Sequence, residues 1–444
     1  MDDGPKSEPS TLTHVLRIGR WLDDGRVMAG AWVTTHALAL AIWHFYAYAA
    51  CCDVHYYWTQ ISRLQLVGPQ HTLTEYPTPV IWIMQIPWWI SQGEWTLYHR
   101  SFDGLMMLLD GVFAIALWRA GGTRRVQALL FWLAFPLLLG PIAYMRFDMI
   151  PAVLVGASLL TLGEQRHRVS GALTGIGAAI KLWPAALWPV LLVSQRKGKL
   201  RASIWFLGTA AALALVSLKD GGWGRLISPL QYQEHRGLQI ESIWATVPML
   251  LRGFRPGHYP LSVHFGAWQI AGPGVHTWMT VASVMTVLGG LIVVAAYLAW
   301  LTRGQHTHLE AGLMVLLVVT YMVVANKTLS PQYWMWIGAP TAALVSMLGE
   351  DDPHGPSVTD REVAGVAAWV LGIAVLTQLI FPRTYHPLTH GGQWFHLATA
   401  VLVARNLALL VFAGWLLRLI FRHLRVRDRG PEATAAPAHL AINL

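Results

Sequence analysis

Long apolar runs with few or no charges alternate with short polar and charged stretches along almost the whole chain. A helix that crosses a bilayer needs about 20 apolar residues. Runs of that kind lie at residues 28–52, 101–118, 126–144, 147–163, 202–218, 278–301, 309–325, 333–347, 363–381 and 395–417. They predict roughly ten crossings. Residues 12–22, with Arg17 and Arg20 on one side, read as a short helix lying in the interface. The N-terminal MDDGPKSEPST is acidic, unlike the basic start of a secretory signal. Ala47-Tyr48-Ala49 mimics a cleavage site, but the apolar run before it is too long for a signal core, so no cleavage is expected.

Two runs break the pattern. Residues 171–193 contain Lys181, Pro184 and Pro189 and are too short for two crossings. Arg166 and Arg168 precede this run, and Arg196, Lys197, Lys199 and Arg201 follow it. The excess of cations in cytoplasmic segments then puts both ends on the same side, which predicts a re-entrant pair of half-helices broken near Lys181. Residues 79–90, interrupted by Pro87, are short. If they crossed, Arg119, Arg124 and Arg125 would fall outside, so they read as a helix on the outer surface.

Composition fixes the class. Only 12% of the 444 residues are charged and 55% are hydrophobic, where soluble domains carry about 25% charged residues. The chain is therefore read as an all-α integral membrane protein with a lipid bilayer as its main partner. A net charge of +9 raises nucleic acid as a partner, but no Lys/Arg run is interleaved with stacking aromatics, and none is expected to bind. Most of the 32 Lys and Arg fall in segments on one side, which makes the charge a topology signal instead. Both termini are expected in the cytoplasm, with residues 1–27 a cytoplasmic segment, 28–421 one multi-pass domain and 422–444 a partly disordered tail. The long segments 53–100 and 219–276 become outer loops, joined there by turns around Arg146, Lys327 and Arg383. Cys51 and Cys52 are adjacent and offer neither a disulfide framework nor a metal spacing.

Candidate chemistry gathers on that outer face. Asp53 stands just past the first run in CCDVHYYW, placed to take a proton from an attacking hydroxyl, with Tyr56, Tyr57 and Trp58 behind it as sugar-binding surface. Asp is equally a favoured N-cap. Lys327 in NKTLSPQYW, Arg146 in YMRFD, and His235 with Arg236 in EHRGLQIES are cations at headgroup height, suited to a phosphate leaving group. Taken singly, each is better explained by headgroup anchoring or local pairing, Arg146 with Asp148 and Arg236 with Glu234; only their convergence on one face with Asp53 favours a phosphate site. Within the membrane, Asp110 and Arg405 lie at similar depth, which allows them to pair. Lys181 either reaches a phosphate or snorkels to the cytoplasm. No phosphate-binding glycine loop, HExxH, paired His/Cys set or DxD pair accompanies Asp53, so neither a metal nor another cofactor is expected.

Asp53, the run Glu75-Tyr76-Pro77-Thr78-Pro79, and AAIKLWP around Lys181 resemble the GT-C superfamily of membrane glycosyltransferases that use lipid-phosphate sugars. RGLQIES (residues 236–242) and NKTLSPQYWMW (residues 326–336) resemble glycosyltransferase family 87, which includes the polyprenol-phosphate-mannose-dependent enzymes of actinobacterial phosphatidylinositol mannoside assembly. The resemblance implies a GT-C fold, a polyprenyl-phosphate-mannose donor, an extracytoplasmic glycolipid or glycan acceptor, and inversion to an α-mannoside. It implies Asp53 as base, with Lys327, Arg236 and Glu241 as the residues that match the family's motifs. The residues themselves add His235, Arg146 and Lys181 to Lys327 and Arg236 as candidates for the donor phosphate, and Tyr57, Tyr56, Glu75, Gln332 and Tyr333 to Glu241 as candidates around sugar hydroxyls. One departure is Tyr76-Pro77-Thr78-Pro79 in place of the family's Tyr-Pro-Pro. A polyprenyl-phosphate arabinofuranose or glucose donor satisfies the same residues. A lipid or polysaccharide transporter would instead spread its charges through the bilayer along Lys181, Asp110 and Arg405.

Overall fold

The computed structural model describes residues 23–44, 51–193, 196–302, 306–347 and 359–426. The interface helix expected at 12–22, the Ala47-Tyr48-Ala49 site and most of the C-terminal tail lie outside these residues. The described chain is helical apart from one hairpin. Its principal helices are α1 (Gly25–His44), α2 (Cys52–Ser62), α3 (Pro79–Ser91), α4 (Trp95–Ala120), α5 (Arg125–Leu139), α6 (Met149–Gly163), α7 (His167–Ile180) and α8 (Arg196–Glu234). After α9 (Thr246–Phe254) come strands β1 (Leu261–His264) and β2 (Ala267–Ile270), then α10 (Val275–Leu301), α11 (His308–Ala325), α12 (Met335–Ser346), α13 (Asp360–Gln378) and α14 (Phe395–Val426).

Several starts are written in the sequence. Glu94 caps α4 by accepting from the backbone of Thr96 and Leu97 at 2.8 and 2.6 Å. Thr307 and Glu310 form a reciprocal capping box at the head of α11, as Thr359 and Glu362 do for α13.

Among the described residues, six helices are long and apolar enough to cross a membrane: Trp95–Ala120, Lys197–Glu234, Val275–Leu301, His308–Ala325, Asp360–Arg383 and Phe395–Leu424. The other four expected crossings coincide with α1, α5, α6 and α12. At 15 residues, α5 and α6 reach about 22 Å, short of a hydrocarbon core of about 30 Å. All twelve residues of α12 are buried. Helices α6 and α12 are apolar because protein surrounds them, and a run of letters does not tell that from lipid.

The expected break near Lys181 is present. Helix α7 ends at Ile180, Lys181 is extended (φ −149°, ψ 127°), and a 3₁₀ helix runs over Trp183–Val193. Helix α7 lies close against α8: a Cβ on Gly171 would strike the Ala202 carbonyl, and one on Gly175 the Thr209 hydroxyl and Phe206 carbonyl.

The expected outer loops are mostly ordered. Segment 53–100 holds α2, α3 and the start of α4, with Trp89 and Ile90 of α3 exposed. Segment 219–276 opens as a continuation of α8, kinked at Gly222 (φ 74°), and ends in the hairpin. In that hairpin Leu261 pairs with Ile270 and His264 with Ala267. Residues 238–240 run beside β2: Ile270 N donates to Leu238 O at 3.0 Å and Ile240 N to Trp268 O at 3.1 Å.

Candidate active site

Asp53 lies in the first turn of α2. Cys51 is the N-cap and makes no side-chain cap bond, so the capping role for Asp53 is set aside. Its Oδ2 instead sits 2.6 Å from Nε of Arg146, with the Asp53 side chain 28% exposed and that of Arg146 almost covered. The local pairing of Arg146 with Asp148 is thereby corrected: turn 144–148 points Arg146 at α2 and leaves Asp148 for another cation.

That cation is Lys181. Its Nζ donates to Asp148 Oδ1 at 2.6 Å, and Trp336 Nε1 donates to the same oxygen at 2.6 Å. The ammonium is ringed by Phe147 and Trp336, each 4.8 Å from its ring centre, Tyr333 at 5.3 Å and Tyr76 at 5.9 Å. Lys181 therefore does not snorkel away; an aromatic box and a buried carboxylate hold it. Tyr333 stacks on Trp336 at 4.2 Å, and Trp336 on Trp183 at 5.3 Å. Tyr57 is fully buried behind this wall, against Phe102, Phe147 and Tyr76.

The two motifs with the highest information are stitched together. Gln239 N donates to Lys327 O at 3.2 Å, and Gln239 Oε1 accepts from Leu329 N at 2.7 Å. Lys327 Nζ donates to the Glu234 carbonyl at 2.9 Å. Arg236 is buried, and its Nε has no hydrogen-bond partner among the described residues. Glu75 accepts from the Tyr56 hydroxyl. Gln332 is half-buried in the 3₁₀ turn Pro331–Trp334. His235 is exposed and its Nδ1 lies 2.8 Å from Gln231 O, turned back to its own helix.

Glu241 is buried and faces Arg405, whose Nη2 lies 3.7 Å from Oε2 and donates to the Glu241 carbonyl at 2.8 Å. The expected Asp110–Arg405 pair is thus overturned. Asp110 Oδ2 takes 2.7 Å contacts from His36 Nε2 and Trp32 Nε1 of α1 instead, and His36 also meets the Tyr144 hydroxyl at 2.7 Å. Depth along two helices cannot identify partners when a third helix supplies a nearer one.

Electrostatics follow from this packing. Burial pushes the Asp53 carboxyl above its ordinary range, while Arg146, Lys181 and Arg236 pull it back and Asp148 adds to the rise. Burial raises Glu75 and lifts Glu241 to about 7, against the pull of Arg405. Burial, then the neighbouring Arg236, lowers Lys327. Asp53 is paired with Arg146 and Asp148 with Lys181, so Arg236 and Lys327 remain as two cations in one neighbourhood.

Sequence reasoning missed Asp148 as an ion-pair partner for Lys181, and Arg225, which is 2% exposed. Neither lies in a recognisable motif; a lone Arg in an apparent outer loop carries no signal of burial.

A helical membrane protein with an acid, paired cations and an aromatic wall at one site fits the class of multi-pass membrane glycosyltransferases. The family model for glycosyltransferase family 87 matches residues 74–331, more than half of the chain, and the chain belongs to that family. This bears out the resemblance read from RGLQIES and NKTLSPQYWMW. Asp53 and Arg405 lie outside the matched residues; Arg146, Lys181, Arg225, Arg236, Glu241 and Lys327 lie within them. Among solved structures, ArnT from Cupriavidus metallidurans bound to undecaprenyl phosphate is similar at 13% identity and a TM-score of 0.44, covering 89% of this chain and 77% of that one. ArnT from the same organism in the apo state is similar at 14% identity and a TM-score of 0.34, covering 90% and 78%. No curated protein matches the chain.

Proposed function

We propose that the protein transfers mannose from a polyprenyl-phosphate donor to a hydroxyl of an extracytoplasmic glycolipid or glycan, with inversion. Asp53 accepts the proton as the acceptor oxygen attacks the anomeric carbon. The bond from that carbon to the phosphate oxygen breaks, and its electron pair stays on the phosphate, where Arg236 and Lys327 neutralise it. Arg146, already bound to Asp53, orients the base rather than holding the phosphate. Lys181 and its aromatic box, with Tyr333, shape the sugar side, and Glu75 and Tyr56 offer polar groups to it.

The observation that carries this reading is the buried Arg236 Nε, without a partner among the described residues, in the same field as a partly open Asp53. An unpaired buried donor costs about 1–3 kcal/mol, which an anionic ligand would return. Mannose rests on the sequence resemblance.

The test is transfer from labelled polyprenyl-phosphate mannose to a membrane glycolipid extract by purified protein, wild type beside Asp53→Asn. Wild-type transfer with a loss of about 10²–10⁴-fold in the variant is expected. Undiminished transfer by Asp53→Asn would remove Asp53 as base. Wild-type transfer only from an arabinofuranose or glucose donor would replace the sugar and keep the mechanism.

A further inference from the structure

We infer that Arg225 is a positioning residue that sets the Glu75–Tyr76 segment into the active site; this rests on the role proposed above for that site. Beyond the Gly222 kink, the tail of α8 lies over residues 69–76. The Arg225 guanidinium spreads over that loop: Nε donates to Pro69 O at 3.0 Å, Nη1 to Tyr76 O at 2.7 Å, and Nη2 to Thr72 O at 3.2 Å and Leu73 O at 3.0 Å. A further Nη1 bond goes to Ser228 Oγ at 3.0 Å, and Ser228 donates in turn to Thr74 O at 2.7 Å.

Five carbonyls of one segment are thus bound by two side chains one helical turn apart. The segment needs this because between the 3₁₀ turn Pro69–His71 and α3 it belongs to no helix or strand. Pro69 O and Leu73 O also accept from Thr72 N and Tyr76 N, but the carbonyls of Thr72, Thr74 and Tyr76 have no backbone donor among the described residues. The guanidinium presents five donors in a rigid fork, whereas a lysine has three on one atom and cannot span four carbonyls.

What the loop carries is the functional consequence. Glu75 accepts from Tyr56, and Tyr76 packs edge-on to Phe147 at 4.7 Å and lines the Lys181 box. Among the described residues the Arg225 guanidinium bonds the loop and Ser228 rather than Asp53 or Lys181, so it acts through the loop. The kink supplies the reach: at φ 74°, Gly222 lets the helix tail turn toward the loop, a conformation other residues adopt only with strain.

The test uses full-length protein in detergent, wild type beside Arg225→Lys and Ser228→Ala, with hydrogen exchange read peptide by peptide and transfer kinetics read in parallel. In Arg225→Lys the amides of His71, Thr72 and Tyr76 are expected to exchange about tenfold faster, with α4 and α6 unchanged. Transfer efficiency should fall about tenfold, while the acid limb of its pH profile, set by Asp53, stays in place. Ser228→Ala should show a smaller loss of the same kind. Unchanged loop exchange would overturn the inference, as would faster exchange throughout α4 and α6, or a loosened loop with undiminished transfer. If wild type itself transfers no mannose, the proposed function fails, and loop exchange still decides what Arg225 does.

Discussion

At the scale of single residues, the site is a balance of two acid–cation pairs and two further cations. Asp53 is raised by burial and lowered by Arg146, so its protonation is the variable that pH and mutation both move. As the proposed base Asp53 must be a carboxylate; activity should therefore fall, as pH drops, through a midpoint above that of an ordinary aspartate. Arg146→Gln removes the charge that opposes the rise, and the acid limb of kcat/KM should shift to higher pH. An unmoved limb would show that Asp53 is not the group being titrated. Stability carries the opposite sign: an acid with a raised folded pKa stabilises most below its unfolded pKa, and that contribution is lost as pH rises through the folded value. The second pair answers to another variable. Asp148→Asn leaves Lys181 in its aromatic box without a counter-charge, and because Lys181 is 17% exposed the loss should be about 1–3 kcal/mol rather than that of a fully sealed pair. Thermal unfolding in detergent measures it, and adding Lys181→Gln should restore part of the loss. Additive effects would mean that the two do not pair.

At the scale of elements, close approach of α7 and α8 holds the Lys181 segment beneath the site. Small residues let helices meet backbone to backbone where lipid offers no hydrophobic drive, and Gly175 faces the Thr209 hydroxyl with no room for a side chain. Gly175→Leu should part the two helices, lower the unfolding temperature and reduce transfer; a variant with wild-type stability would show that the contact is dispensable. Elements of this kind were legible to different degrees. The long apolar runs of α4, α10, α13 and α14 announced themselves because lipid-facing helices carry few charges. The break at Lys181 was legible as well, from prolines and flanking cations. The short buried helices α6 and α12 read as spans because burial in protein and burial in lipid write the same letters. The strand-like course of residues 238–240 carried no periodic signal, since its partners are β2 and the Lys327 segment rather than a second regular strand. Asp53, Lys327, Arg236 and Lys181 were visible as charges that apolar surroundings must explain. Asp148, Arg225 and the His36–Asp110 contact depended on tertiary approach, which one sequence does not record.

At the scale of the whole molecule, the ion pairs support the sidedness that the cation count predicts. Arg124 pairs with Asp360, Arg125 with Asp23, and Glu362 with Arg422 and His423, while Gln165 meets His308. Each contact joins two segments that the positive-inside rule assigns to the cytoplasm. None joins one of those segments to the Asp53 site, whose own pairs link residues 53 with 146 and 148 with 181. Two groups of charges that do not mix are what a bilayer between them would impose. The orientation can be read with the chain's own chemistry. Cys51 and Cys52 are its two cysteines, and replacing both with alanine leaves a background without thiols. Single cysteines then go to Leu66, 85% exposed beside the site, and Leu200, 62% exposed near the start of α8. A membrane-impermeant maleimide should label Leu66→Cys in intact cells, and Leu200→Cys only after the membrane is opened. The reverse pattern would turn the molecule over and bring the proposed reaction to the cytoplasmic face. Labelling of both in intact cells would place the two ends of α8 on one side and remove that helix from the count of crossings.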